Sequence, residues 1–129
     1  MLRLEEAKLL AREGQFSGAY YVAGYAIECA LKALIAAQFR ENEIPDRSLV
    51  VSVYSHKLAD LLRLAGLEKT LEIDGQRDAN LERRWSVVKN WSEQARYDIW
   101  TEEQARAIID AIDGDGRSGG LFQWLSARW

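Results

Sequence analysis

The chain has 129 residues, of which 48% are hydrophobic. This is enough for one buried core and excludes an intrinsically disordered protein. The net charge is −3, from 17 basic and 20 acidic residues. This excludes a protein that is attracted to nucleic acid by its overall charge. The single cysteine, Cys29, cannot form an internal disulfide, and no uninterrupted apolar run of about 18 residues is present. We therefore expect one domain over residues 1–129, in the cytoplasm, with no membrane span.

Apolar residues at helical spacing predict two helices in the first third of the chain. The apolar stripe of the first helix consists of Leu4, Ala7, Leu10 and Ala11. Gly14 is predicted to end it, and Ser17 to cap a second, longest helix that runs to about Phe39. The second helix is rich in Ala and Gly, which lets neighbouring helices approach closely, so we expect it at the centre of the fold.

A loop is expected at residues 41–54, and the β-branched run at residues 50–54 is interpreted as part of it. Ser55 is predicted to cap a third helix that Gly66 ends. Residues 67–76 are predicted to be a connection, closed by Asp74 and Gly75.

The last third of the chain carries the signals of further helices. A fourth helix is marked by apolar and small residues at helical spacing: Leu81, Trp85, Val88, Ser92 and Ala95. Thr101 and Gln104 have the spacing of a capping box, which predicts a fifth helix behind them. A glycine-rich turn at 113–120 precedes a short final helix at 121–129. The predicted fold class is therefore all-α: an antiparallel up-and-down bundle of four to five helices plus a short C-terminal helix.

Motifs for nucleotides and metals are incomplete. Gly114, Gly116 and Gly119 match G-x-G-x-x-G, but a helix precedes them, whereas a dinucleotide fingerprint follows a strand. One His and one Cys cannot supply the three or four nitrogen or sulfur ligands of a zinc site. No metal and no cofactor is expected.

Two polar surfaces are candidate binding sites. On the second helix, Tyr21, Tyr25, Glu28 and Lys32 are three or four residues apart and share one face, with Glu28 and Lys32 placed to form an ion pair. This face is either a partly buried seam against another helix or subunit, or a ligand surface that uses Tyr25, Glu28 and Lys32.

On the fourth helix, Trp85, Lys89, Ser92 and Arg96 would share one face. Such residues either pack at the edge of the core or contact nucleic acid, with Lys89 and Arg96 as ligand-binding candidates. His56, in the first turn of the third helix, is either structural or catalytic.

The run from Ala19 to Leu34 resembles the signature second helix of HEPN domains. The resemblance continues through Ser55-His56-Lys57-Leu58, Trp91 and Ala95-Arg96-Tyr97. It spans Ala7 to about Trp124. It implies an antiparallel bundle of four to five helices that is usually a homodimer. Members of the family include bacterial toxins that cleave RNA, partners of minimal nucleotidyltransferases, and domains with no known activity.

The ribonuclease members carry an R-x(4–6)-H motif, in which Arg and His position the ribose 2′-hydroxyl and stabilise the charge of the transition state. Here Arg96 matches the Arg, but no histidine follows His56 anywhere in the chain. The first hypothesis is therefore a non-catalytic binding or regulatory module. It would form a homodimer, with a nucleotidyltransferase-type protein as a candidate partner in a toxin–antitoxin-like system.

The alternative is a divergent, metal-independent ribonuclease toxin, with Arg96, Tyr97 and His56 as catalytic candidates. A weaker alternative is a nucleotide-binding protein that uses Lys32, Arg96 and the tyrosines. RNA or a nucleotide is the ligand in both alternatives.

Overall fold

A computed structural model describes residues 2–38, 55–115 and 119–128, and these residues form an all-α bundle. The helices are α1 (Leu2–Arg12), α2 (Phe16–Ala37), α3 (Leu58–Leu64), α4 (Glu68–Arg77), α5 (Ala79–Val88), a 3-10 helix (Glu93–Tyr97), α6 (Glu102–Asp113) and α7 (Leu121–Ser126). The only β-type pairing within these ranges is a bridge between Gly114 and Gly119. The predicted all-α fold class is confirmed.

The central position predicted for the second helix is confirmed. Helix α2 packs against α1, α3, α6, α7 and the 3-10 helix. Its inward face consists largely of small and aliphatic side chains with almost no solvent exposure: Ala19, Ala23, Ile27, Ala30, Leu31 and Ile35. Small residues on this face allow close packing of the neighbouring helices.

Helix α2 is also long enough and apolar enough to cross a membrane by length and composition alone, although 61% of the relevant window is buried inside the bundle. That degree of burial is expected of the central helix of a bundle.

Several helix ends agree with the sequence signals. Gly14 and Gly66 adopt positive φ angles of 77° and 76° just after α1 and α3, a conformation that glycine adopts at little cost. The capping box is present, because the Gln104 N–H donates to Thr101 Oγ1 while the Thr101 N–H donates to Gln104 Oε1.

Two predicted N-caps are wrong. Helix α2 is preceded by Gln15, and Ser17 lies inside its first turn, where its hydroxyl accepts a hydrogen bond from the Trp100 N–H at 2.9 Å. Helix α3 begins at Leu58 after Lys57, and the Ser55 hydroxyl accepts from the Lys57 N–H at 3.2 Å. His56 therefore lies before α3 rather than in its first turn.

The predicted connection at 67–76 is wrong, because α4 occupies Glu68–Arg77. Asp74 and Gly75 suggested a turn in the sequence. Gly75 is instead a buried helical residue at the crossing of α4 and α5, where a Cβ would lie 3.5 Å from Glu82 Cβ. The small residue marks a close approach of two helices rather than a break.

The fourth predicted helix is also shorter than expected. Helix α5 ends at Val88, and the chain turns before it forms the 3-10 helix. Trp85, Lys89, Ser92 and Arg96 therefore do not share one helix face. The second helix ends at Ala37, two residues before its expected end at about Phe39. The expected loop at 41–54 lies outside the described residues, as does Gly116 of the glycine-rich turn.

Candidate functional site

Three segments distant in sequence bring their charged side chains together beside α2. Glu28 comes from the middle of α2, His56 from the segment before α3, and Glu93 and Arg96 from the 3-10 helix. His56 Nδ1 is 2.6 Å from Glu28 Oε1, and His56 Nε2 is 3.1 Å from Glu93 Oε2. Arg96 Nη2 donates to the other oxygen, Glu93 Oε1, at 2.8 Å. We call this chain of four residues the polar network.

Glu28 is the only buried member of the polar network. The Glu28 side chain is only 3% exposed, whereas the His56 side chain is 45% exposed, and Glu93 and Arg96 are 35% and 44% exposed. A buried carboxylate is costly unless it is hydrogen-bonded, so His56 stabilises Glu28 in place. Glu28 is thus bonded to His56 rather than to Lys32.

Aromatic rings line α2 next to the polar network. The Arg96 guanidinium carbon lies 5.5 Å from the centre of the Tyr21 ring and 5.4 Å from that of Tyr97. Tyr21 also stacks on Tyr25, with ring centres 6.2 Å apart. Arg3 lies 5.9 Å from the Tyr25 ring centre at the other end of this row. All three distances between a guanidinium carbon and a ring centre are within the range of cation–π attraction.

Trp91 is the anchor that holds the 3-10 helix against α2. It is 2% exposed, and its ring meets Tyr21 at 5.7 Å between centres. Its indole covers Gly24 so closely that a Cβ at that position would lie 2.2 Å from Trp91 Cδ1. The indole Nε1 is buried without a hydrogen-bond partner among the described residues. Shape complementarity with glycine therefore sets the position of the segment that carries Glu93 and Arg96.

An exposed apolar surface adjoins the polar network. Tyr97 is 72% exposed and Ile99 is 93% exposed, and they lie one and three residues after Arg96. The neighbouring Trp100 is half-buried, because its ring stacks on Tyr20 with centres 3.7 Å apart. Arg96, Tyr97 and Ile99 are therefore presented to solvent on a segment fixed on both sides by tryptophans. We call these three residues the 96–99 surface.

The pKa of Tyr25 is raised, chiefly by its hydrogen bond with the Cys29 side chain one turn further along α2. The phenol is already protonated at neutral pH at its ordinary pKa, and the raised pKa moves its ionisation further from neutral pH.

The predicted site residues divide into two groups. The structure brings His56, Arg96 and Glu28 together in the polar network. Tyr97 lies beside Arg96, and Tyr25 stacks on Tyr21, whose ring also lies beside Arg96. Lys32 is half-buried further along α2, and Lys89 is exposed at the end of α5; neither joins the network. Sequence reasoning missed Glu93, although its position three residues before Arg96 on a helical turn is a signal for an ion pair.

Metal ligands do not converge at this site. Glu28 and Glu93 contact opposite nitrogens of the same imidazole. The two carboxylates and His56 therefore cannot all coordinate one metal ion. Across the described ranges there is no group of three or more His, Cys, Asp or Glu side chains that could hold a metal ion.

Comparisons with known proteins return no relatives. No protein-family model matches the chain, and neither a curated protein nor a solved structure matches it. The resemblance to HEPN domains therefore rests on the sequence segments alone.

Proposed function

We propose that this protein is a non-catalytic binding module of the HEPN type that forms a homodimer. The observation that carries the proposal is that the polar network satisfies itself. Each nitrogen of His56 faces a carboxylate, and the Arg96 guanidinium is bonded to one of these carboxylates. The residues that could have performed chemistry are instead occupied in holding the 3-10 helix and the 55–57 segment to α2.

Charge at the centre of the network also argues against catalysis. A general base needs a nitrogen lone pair within reach of the substrate, and His56 directs both nitrogens at protein carboxylates. Glu93 would repel a phosphodiester brought up to Arg96, and its ion pair reduces the positive field that would stabilise a phosphorane-like charge.

The 96–99 surface supplies the proposed contact with a second copy. Tyr and Arg are among the residue types enriched at energetically dominant positions of protein interfaces. A nearly fully exposed Ile beside them adds apolar area that gains free energy when it is covered. The partner protein suggested by the family resemblance, a nucleotidyltransferase-type protein, is the second candidate for the same surface.

Light scattering coupled to size-exclusion chromatography tests the dimer. The chain mass is 14.7 kDa, and the wild type is expected at twice that mass. The double variant Tyr97→Ser/Ile99→Ser is expected to run as a monomer with an unchanged circular dichroism spectrum. Ile73→Ser is the matched control, because Ile73 is a 51% exposed isoleucine on α4, and it should stay dimeric. A wild type that remains monomeric at high concentration would remove the homodimer from the proposal.

A metal-independent ribonuclease is the second candidate function. It is favoured by one observation: His56 and Arg96 lie in one subunit and bind the two oxygens of the same carboxylate, Glu93. An RNA phosphate that displaced Glu93 would then contact both the Arg96 guanidinium and the His56 imidazole.

Cleavage of a mixed RNA and tRNA pool in the presence of EDTA separates the two candidates. We expect no cleavage by the wild type or by any variant. Cleavage by the wild type that disappears in both Arg96→Ala and His56→Ala and increases in Glu93→Gln would establish the ribonuclease instead.

A further inference from the structure

A second surface feature lies away from the residues of the polar network, between α3, α4 and α5. It is an open groove of about 340 Å³. Leu62, Leu71 and Trp85 provide its apolar lining. Leu62 and Leu71 are buried, whereas Trp85 is only half-buried although it belongs to α5 and faces the bundle. The groove therefore offers a large aromatic surface that the fold leaves partly uncovered.

Three carboxylates lie at the rim of the groove. Glu68 and Glu72 come from α4 and Glu82 from α5, and all three are exposed. None of the described residues that line the groove is basic, and none of the three carboxylates has an ion pair within the described part of the chain. Apolar walls of low polarisability concentrate the negative potential of such a groove.

Local helix stability explains only part of this arrangement. Glu68 and Glu82 lie in the first turns of their helices, where a negative charge interacts favourably with the helix dipole. Glu72 has no such benefit and is one turn from Glu68, a spacing at which like charges repel. The convergence of the three carboxylates over an apolar lining is thus not required by the helices themselves.

We propose that this groove docks a basic amphipathic helix of a partner protein. An apolar side chain of that helix would fill the space between Leu71 and Trp85. Lysine or arginine side chains one helical turn apart would match Glu68 and Glu72, which have the same spacing. Glu82 faces them from the other side of the groove, and Trp85 provides an aromatic face for one of the cations.

A helix suits the groove better than a free organic cation does. The three carboxylates remain open to solvent, so a small cation bound there would stay hydrated and its attraction would be screened. A helix laid across the groove would cover both the carboxylates and Trp85 and strengthen the same ion pairs. The proposal uses neither the 96–99 surface nor the polar network, and it stands or falls independently of the proposed function.

Fluorescence anisotropy with a labelled synthetic peptide tests the proposal on the full chain. The probe is an amphipathic helix of leucine and lysine, and its counterpart carries glutamate in place of every lysine. We expect the lysine peptide to bind and the glutamate peptide not to bind. In Glu72→Gln/Glu82→Gln the affinity for the lysine peptide should fall at least about tenfold. Glu13→Gln/Glu103→Gln changes the net charge equally at exposed positions outside the groove and should bind within about twofold of the wild type.

Nuclear magnetic resonance locates the contact independently of the charge changes. The chain has five tryptophans, and the indole N–H signal that disappears in Trp85→Phe identifies Trp85. That signal is expected to shift when the lysine peptide is added. Equal losses in both double variants, an unshifted Trp85 signal or no binding by the wild type would overturn the proposal. Spermidine can be added at the same total concentration of positive charge as the peptide. Displacement of the peptide under these conditions would also overturn the proposal, in favour of a small organic cation.

Discussion

Gly24 is the residue on which the position of Trp91 depends. The Trp91 ring occupies the space into which any side chain at residue 24 would project, with ring atoms 2.2–2.3 Å from the Cβ position. Because the ring is 2% exposed and also packs on Tyr21, it cannot move aside without uncovering part of the core. Glycine inside a helix normally costs stability relative to alanine. At residue 24 this cost is offset by the packing of Trp91, which only glycine leaves room for.

Two glycines of α2 therefore respond in opposite ways to alanine. Gly24→Ala is expected to lower the free energy of unfolding by about 1–3 kcal/mol, because it overpacks the contact with Trp91. Gly18→Ala is the matched control. Its Cβ would lie 3.6 Å from Leu10 Cδ1, an ordinary contact, and alanine should stabilise the helix by up to about 1 kcal/mol. Urea denaturation followed by circular dichroism measures both; a Gly24→Ala protein as stable as Gly18→Ala would contradict the packing.

The hydrogen bond between Glu28 and His56 should be strongly coupled in free energy. His56→Ala leaves a buried carboxylate without its partner and is expected to cost about 1–3 kcal/mol of unfolding free energy. Once Glu28 is replaced by Gln, removal of His56 should cost less, because no buried charge remains unpaired. A double-mutant cycle over Glu28→Gln and His56→Ala should give a coupling of at least about 0.5 kcal/mol. Additive effects would show that the 2.6 Å contact does not stabilise the fold.

At the scale of helices, sequence periodicity predicted the elements whose apolar stripe is continuous. Helices α1, α2 and α6 were found on this basis, and the capping box located the start of α6 to the residue. The errors occur where tertiary contacts replace local signals. The sequence predicts that Ser17 caps its own helix, but its hydroxyl accepts from the Trp100 N–H, 83 residues away. Gly75 has the local pattern of a turn residue, but it lies at a helix crossing.

The candidate site shows the same division between local and distant contacts. The pair of Glu93 and Arg96 is three residues apart and could be read from the sequence. The apolar periodicity instead predicts that α5 continues through this turn, and on that basis Glu93 is not singled out. The contact of His56 with Glu28 spans 28 residues, and no periodicity reports on it. His56 and Arg96 could be nominated separately by residue type, but their common carboxylate is a property of the fold.

Helices α1 and α6 are joined by an ion pair whose contribution should depend on pH. Lys8 Nζ lies 2.9 Å from Asp113 Oδ2, and this hydrogen bond is the main reason why the pKa of Lys8 is raised above its ordinary value of 10.5. A raised pKa in the folded state means that the stabilisation is complete below pH 10.5 and is lost as the pH rises through the folded-state pKa.

Lys8→Gln is therefore expected to cost about 0.5 kcal/mol at neutral pH, a value limited by solvent screening. The difference from the wild type should disappear at strongly alkaline pH. Arg63→Gln is the control, because Arg63 and Asp60 are more exposed, at 65% and 39%, and belong to one helix. Thermal denaturation across the alkaline range measures both variants, and a Lys8→Gln effect that persists unchanged there would contradict the assignment.

At the scale of the whole molecule, α2 connects most of the other elements. It contacts α1, α3, α6, α7 and the 3-10 helix, while α4 and α5 are held through α6 and through each other. The last helix is tied to α4 as well, because Trp124 Nε1 and Arg128 Nη2 both donate to Asp74 Oδ2 at 3.0 Å. Few elements can therefore detach without exposing a surface of α2 or α6.

This connectivity predicts that the chain unfolds in one cooperative step. Tryptophans lie on α5, before and after the 3-10 helix and on α7, so intrinsic fluorescence reports on packing in several places. Far-UV circular dichroism reports on the helices. The two urea transitions should coincide, with a slope of about 1–3 kcal/mol per molar urea. Leu31→Ala, which removes a fully buried side chain of α2, should shift both transitions together by about 2–5 kcal/mol. If fluorescence changed well before helix content, the packing around one or more tryptophans would be lost independently of the helices, and the chain would not unfold in one cooperative step.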